Sequence, residues 1–245
     1  FEPIIDMAHK KGICVMVDNT FGCGGYLFRP LDWGADVSIH SATKWICGHG
    51  TALGGVVVDG GRFDWTPEKY PLLAAPSESY HGLVYKEVFG NAAFAGRVRV
   101  DGLRNIGAAA SPFNSFLMLQ GLETLSLRVE RCCSNALAVA EFLQKHPAVE
   151  SVNYTGLPDN PYHTLAKKYL QHGFGAVLTF RVKGGFDAAA ALVSRLGLIL
   201  HVGSVGDSKS LIVHPASTTH SQLSAEEQVA AGVYPNLLRL SVGTE

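Results

Sequence analysis

The sequence predicts an α/β fold, with a mostly parallel, doubly wound sheet first and a smaller α/β region after it. Three observations predict this. Short segments at 13–17, 36–40 and 55–58 read as strands, and the continuous apolar runs at 13–17 and 55–58 suit parallel strands covered on both faces. Between these runs lie polar and glycine-rich loops, the places where open α/β sheets carry their chemistry. Beyond a long helical stretch, short strands and helices alternate again on a smaller scale.

Taken in order, residues 3–11 carry Ile4, Ile5, Met7 and Ala8 between polar residues, and Gly12 follows as a helix stop. The strands at 13–17 and 36–40 end in Asp18-Asn19-Thr20 and in Ser41 to Lys44. Residues 60–80 read as a long ordered loop, with Phe63, Trp65 and Tyr70 expected to pack down as anchors rather than to shape a substrate mouth. A helical region at 83–105 is expected to break at Gly90. Pro112 opens a helix whose pattern runs through Phe116, Leu119, Leu127, Leu137 and Phe142 to Pro147. A helix of that length bridges two domains, and the boundary is placed near Arg131. Then follow a strand at 149–154, a turn at 156–159, a helix at 162–170, a strand at 176–182, a helix at 187–196, extended chain at 198–202 and strands at 211–213 and 237–242. Ser224 and Glu227 form a capping box, the glutamate three residues after the serine.

At 245 residues and 47% hydrophobic, the chain is long enough for a packed core. A net charge of −1 gives no reason to expect nucleic acid or an anionic membrane as partner. Five cysteines make an odd, badly spaced set for a disulfide framework, so free thiols in a reducing, cytoplasmic setting are expected. Cys47 with His40 and His49 falls short of the four ligands a closed zinc site needs, and no metal is expected. The chain starts inside an amphipathic pattern and stops just after a core-like strand, and it is read as a fragment.

The chemistry concentrates at His40-Ser41-Ala42-Thr43-Lys44, followed by Gly48-His49-Gly50 and Gly54-Gly55. A lysine just past a short strand, with hydroxyls one and three residues before it, suits a carbonyl cofactor that carries a phosphate. By themselves these residues fit equally well a loop lysine beside turn-forming hydroxyls. Asp18, at the carboxyl end of the preceding strand, tips the balance. Pyridoxal phosphate needs an amine for its aldehyde and an acid to keep its ring nitrogen protonated, although a carboxylate closing a strand is also a common turn residue. Arg239, between leucines on the last strand, is either a snorkelling surface residue or a forked clamp for a carboxylate.

Val17-Asp-Asn-Thr-Phe21, His40-Ser-Ala-Thr-Lys44, the run from Leu211 to His220 and Leu238-Arg-Leu-Ser-Val-Gly243 together resemble the Cys/Met-metabolism family of pyridoxal-phosphate enzymes, in family order across nearly the whole chain. Within it, Lys44-Trp45, Gly48 to Thr51, Arg62 to Trp65 and Pro76 to Gly82 are most similar to the O-acetylhomoserine sulfhydrylases. The resemblance implies the pyridoxal-phosphate-dependent transferase fold (fold type I). Residues 1–130 would be the C-terminal part of the large cofactor-binding domain, and 131–245 a small C-terminal α/β domain cut short at its end.

It also implies roles. Lys44 is the Schiff-base lysine and proton carrier, Asp18 the partner of the pyridine nitrogen, Ser41 and Thr43 the phosphate-binding hydroxyls, and Arg239 the clamp for the substrate's α-carboxylate. Ser204 matches a substrate-side serine, although Val205 stands where leucine is more usual. The implied reaction is γ-replacement, in which O-acetyl-L-homoserine and sulfide give L-homocysteine and acetate for methionine biosynthesis. The implied assembly is a homotetramer with active sites shared between subunits. Residues 60–80 would be an insertion relative to shorter members. The implied phosphate loop, ring-stacking tyrosine and neighbour-subunit residues would all precede Phe1. A cystathionine γ-synthase or γ-lyase of the same family, or an inactive truncated product, is the alternative.

Overall fold

The computed structural model describes residues 1–245. The chain divides into two compact units: 1–20, 29–41 and 54–116 form one, while 21–28, 42–53 and 117–245 form the other. The last change from one unit to the other falls between Phe116 and Leu117, whereas the sequence suggested a domain boundary near Arg131.

In the first unit, helix α1 (Glu2–Lys10) precedes a three-stranded sheet in the order β1 (Met16–Asp18), β2 (Val37–Ser41), β3 (Gly55–Asp59). The expected strand at 13–17 begins late, and the reason is hydrogen bonding. The amides of Ile13, Cys14 and Val15 donate to Ala8 O, the Tyr70 hydroxyl and Asp36 Oδ2, so they are not available to a ladder. β1 and β2 are parallel, whereas β2 and β3 are antiparallel, with Ser41 opposite Gly55. The connection between β2 and β3 contains no crossover helix, so the chain returns beside the end it left. Covered faces are not seen on β3, where Val56, Val57 and Val58 are 39–50% exposed.

The stretch at 60–80 carries a short helix, α2 (Pro71–Ala74). Its aromatic residues are anchors, as expected. Trp65, 4% exposed, packs with Leu73, Tyr85 and Ala93, and Phe63 and Tyr70 lie against this cluster. The helical region beyond it does break at Gly90, whose φ of +53° suits glycine. It comprises α3 (Tyr85–Phe89), α4 (Ala93–Arg97) and a wider π-type turn over Val98–Arg104.

The long helix expected from Pro112 is two helices, α5 (Pro112–Glu123) and α6 (Leu125–Lys145). Thr124 leaves the helical region between them, at φ −107° and ψ 8°. The second unit then holds β4 (Val149–Asn153), α7 (His163–Tyr169), β5 (Val177–Val182), α8 (Gly185–Arg195), β6 (Leu200–His201), β7 (Leu211–Val213), α9 (Ala225–Ala230) and β8 (Leu237–Ser241). Its sheet runs β4-β5-β8-β7-β6, antiparallel except for the parallel pair β6–β7. Strand β5 alternates, burying Leu178, Phe180 and Val182. These side chains share a core with Cys132, Ala136 and Ala140 of α6 and Ala189 and Val193 of α8. Small residues four apart on α6 let that helix lie close to its neighbours. The capping box is formed in both directions: Glu227 N donates to Ser224 Oγ, and Ser224 N donates to Glu227 Oε2. No helix is long and apolar enough to cross a membrane.

Candidate active site

In the first unit, the parallel pairing of β1 with β2 sets two strand ends side by side. The ladder continues one step past β1, where Asn19 N donates to Ile39 O at 2.7 Å. Asp18 then closes a tight turn, its Oδ1 accepting from Thr20 N at 3.0 Å and from Thr20 Oγ1 at 2.7 Å. Thr20 Oγ1 in turn accepts from Ser41 N at 2.8 Å. The two hydrogen bonds from Thr20 hold the Asp18 carboxyl below the usual carboxylate range. Asp18 is exposed, so an anionic oxygen remains open to a cationic partner. His40 is buried and paired with Ser38 Oγ at 3.0 Å, and burial lowers its pKa although the charge of Asp18 works in the other direction.

In the second unit, Ala42 to Gly48 winds into a turn through Cys47 N to Ala42 O at 2.8 Å and Gly48 N to Lys44 O at 2.7 Å. Lys44 Nζ donates to Ser204 Oγ at 2.6 Å. The carbonyl of the same serine accepts from Arg239 Nη2 at 3.3 Å. Arg239 is central in the five-stranded sheet, opposite Thr179 of β5 and Val213 of β7, and burial pulls its pKa below the ordinary value. Trp45 anchors the loop in a core of Cys23, Leu27, Leu125, Val129, Cys133 and Val205. Gly206 lies so close that an added Cβ would come within 2.6 Å of the Trp45 ring, and its φ of +76° also favours glycine. Amine, hydroxyl and guanidinium therefore meet at one residue, Ser204.

Such a constellation can bind an α-amino acid at its carboxylate and move a proton near the amine-bearing carbon. The family described as "Cys/Met metabolism PLP-dependent enzyme" matches over residues 1–245. The chain belongs to this family.

It is 54% identical to O-acetyl-L-homoserine sulfhydrylase 1 of Thermus thermophilus, over 100% of this chain and 58% of that protein. Identity to the homocysteine synthase of Schizosaccharomyces pombe is 53%, with the same two coverages. The crystal structure of an O-acetylhomoserine (thiol)-lyase of Campylobacter jejuni, holding a pyridoxyl-lysine phosphate, superposes with a TM-score of 0.94 at 41% identity. That match covers 100% of this chain and 58% of that one. The chain thus spans somewhat more than half the length of the relatives it matches, and its α/β fold is that of the fold type I pyridoxal-phosphate enzymes.

Among the family's expected residues, the structure joins Lys44, Ser204 and Arg239 in one unit, and Asp18 and Ser41, through Thr20, in the other. Thr43 belongs to the Lys44 loop and is half-buried. His214, inside the 211–220 run that carries part of the family resemblance, is a buried residue paired with Ser217 Oγ at 2.9 Å and Pro235 O at 2.7 Å. Sequence reasoning missed Ser208, whose N and Oγ both donate to Gly48 O, at 2.8 and 2.7 Å. It also missed Arg128, although a signal was present. Arg128 falls on the buried stripe of α6 with Leu125, Val129 and Cys132, where an unpaired cation would be costly.

Proposed function

We propose that the protein catalyses γ-replacement, converting O-acetyl-L-homoserine and sulfide to L-homocysteine and acetate in methionine biosynthesis, in the cytoplasm and as a homotetramer with shared active sites. One observation carries the reading: Lys44 Nζ and Arg239 Nη2 both bond to Ser204, so the basic amine and a carboxylate-binding fork stand at one place. The side chains suit the family's cofactor chemically. Asp18 is kept anionic, as a protonated ring nitrogen requires. Ser41 and Thr43 supply hydroxyl donors for phosphate, within three residues of the amine. Bound pyridoxal phosphate supplies an electron sink beside the substrate's amine-bearing carbon.

The protein's own groups do the rest. Arg239 holds the α-carboxylate, Lys44 takes the proton from Cα and moves protons at Cβ, and Ser204 orients the lysine amine. The Cγ–O bond breaks and releases acetate, then sulfide forms the Cγ–S bond. Sulfide needs no recognition of an amino-acid tail, unlike the cysteine used by a cystathionine synthase. In the domain plan we favour, residues 1–130 belong to the large cofactor-binding domain and 131–245 to the small one.

The test offers sulfide, cysteine and cystathionine in parallel to the intact protein and analyses the products. Homocysteine from sulfide should dominate, and preferential turnover of cystathionine would overturn the choice of reaction. A Lys44→Ala protein should lose at least about 1,000-fold in kcat. Full turnover in that variant would refute the role of Lys44.

A further inference from the structure

The peptide groups immediately after Lys44 are held by a side chain from far along the chain. Arg128 Nη1 donates to Trp45 O at 3.0 Å, and Nη2 donates to Ile46 O at 3.4 Å and to Gly121 O at 2.6 Å. Nε donates to Thr124 Oγ1 at 3.2 Å. The residue is only 8% exposed, and burial pulls its pKa below the ordinary value. A buried cation is tolerated only when it finds hydrogen-bond partners, and these four oxygens take four of its five N–H donors.

Three features of the surroundings fit the guanidinium. The helix break at Thr124 lies beside it and brings Gly121 O and Thr124 Oγ1 within its reach. Gly48, at φ +73°, leaves room for it, since any Cβ there would collide with Arg128. Ser208 grips the same turn at a separate point through Gly48 O. The turn that carries Lys44 is therefore fixed at residues 45, 46 and 48 by side chains from two different segments.

We propose that Arg128 is a positioning residue for Lys44: its fork of donors fixes the peptides of residues 45 and 46 and so sets where the lysine amine points. This inference rests on the reading of Lys44 as the reacting amine. Arginine suits the task because its five donors lie in a fixed plane, whereas a lysine offers one nitrogen that cannot span four separated oxygens. A purely structural Arg128 would affect stability and leave the amine's behaviour alone.

The experiment compares Arg128→Met, Arg128→Lys, Thr124→Val and Lys44→Ala in the intact protein. It measures kcat and KM on the cofactor-loaded form. In the cofactor-free form it measures the rate at which an amine-acylating reagent labels Lys44, relative to other lysines, by peptide mass spectrometry. Arg128→Met should lower kcat about 100-fold, the scale of a small misplacement of a reacting group, with KM within about threefold. Its Lys44 labelling rate should change by at least about fivefold while other lysines stay near parent values. Arg128→Lys should recover about tenfold of the lost kcat.

A folded Arg128→Met protein with parent-like kcat or parent-like Lys44 labelling overturns the inference. If that variant fails to fold, Thr124→Val removes one partner of the same guanidinium. It should lower kcat about three- to tenfold with altered labelling, and no change in either overturns the inference equally. Turnover retained in Lys44→Ala would instead overturn the underlying reading. Loss of turnover there, with parent-like Arg128 variants, overturns the positioning role alone.

Discussion

The end of β1 and the turn at Lys44 hold their polar groups in opposite ways. Asp18 is set by Thr20, two residues further on, and by a neighbouring strand paired in regular register. Lys44 is set by Ser204, 160 positions away, and the peptides behind it by Arg128, 83 positions away from Trp45. One arrangement is a local turn that nearly any strand end could adopt. The other exists only once a helix, a sheet and two loops have packed, so its geometry depends on distant parts of the sequence.

Substitutions can break or sharpen that contrast. The largest effect should come from the non-local side. On the proposed role of Arg239 as carboxylate clamp, Arg239→Leu should lower kcat/KM for O-acetylhomoserine about 100-fold, mostly through KM. Steady-state kinetics checks this, and a loss confined to kcat would point to a different role. Ser204→Ala should cost about tenfold in kcat with little change in KM, the worth of one hydrogen bond to the lysine amine.

On the local side, Thr20→Val should act through titration. Asp18 has its pKa lowered in the folded protein, so its contribution to stability is full above the ordinary carboxylate pKa and fades as pH falls through the lowered value. Removing the Thr20 hydroxyl should move the Asp18 titration up toward the ordinary range, as followed by carboxyl carbon NMR, and shift this acid loss to higher pH. An unchanged titration would mean that the backbone amide alone holds the carboxylate. The smallest effect lies away from both regions. Ser224→Ala removes the α9 cap and should cost about 1 kcal/mol in chemical denaturation without altering kcat.

The same contrast explains what could be read in advance. The strands at 55–59 and 211–213 were legible because continuous apolar runs are bounded by polar turns, and the capping box because its two members are three residues apart. The start of β1 was misplaced because the amides of Ile13 to Val15 bond to Ala8, Tyr70 and Asp36 instead of a strand, and hydropathy carries no trace of those partners. The break at Thr124 was missed because apolar periodicity continues across it, from Leu122 to Leu125 and Val129.

Residue types, spacing and local turn chemistry determined the α/β class and the family, since these depend on order along the chain. The tertiary structure decided which groups meet. It gave Ser204 both an amine and a guanidinium, made β3 antiparallel to β2, and drew Arg128 from the buried stripe of α6 onto the peptides behind Lys44. The physical reason is that a buried cation must find oxygens wherever packing brings them within reach, and that meeting is fixed by the folded backbone rather than by any neighbour in sequence.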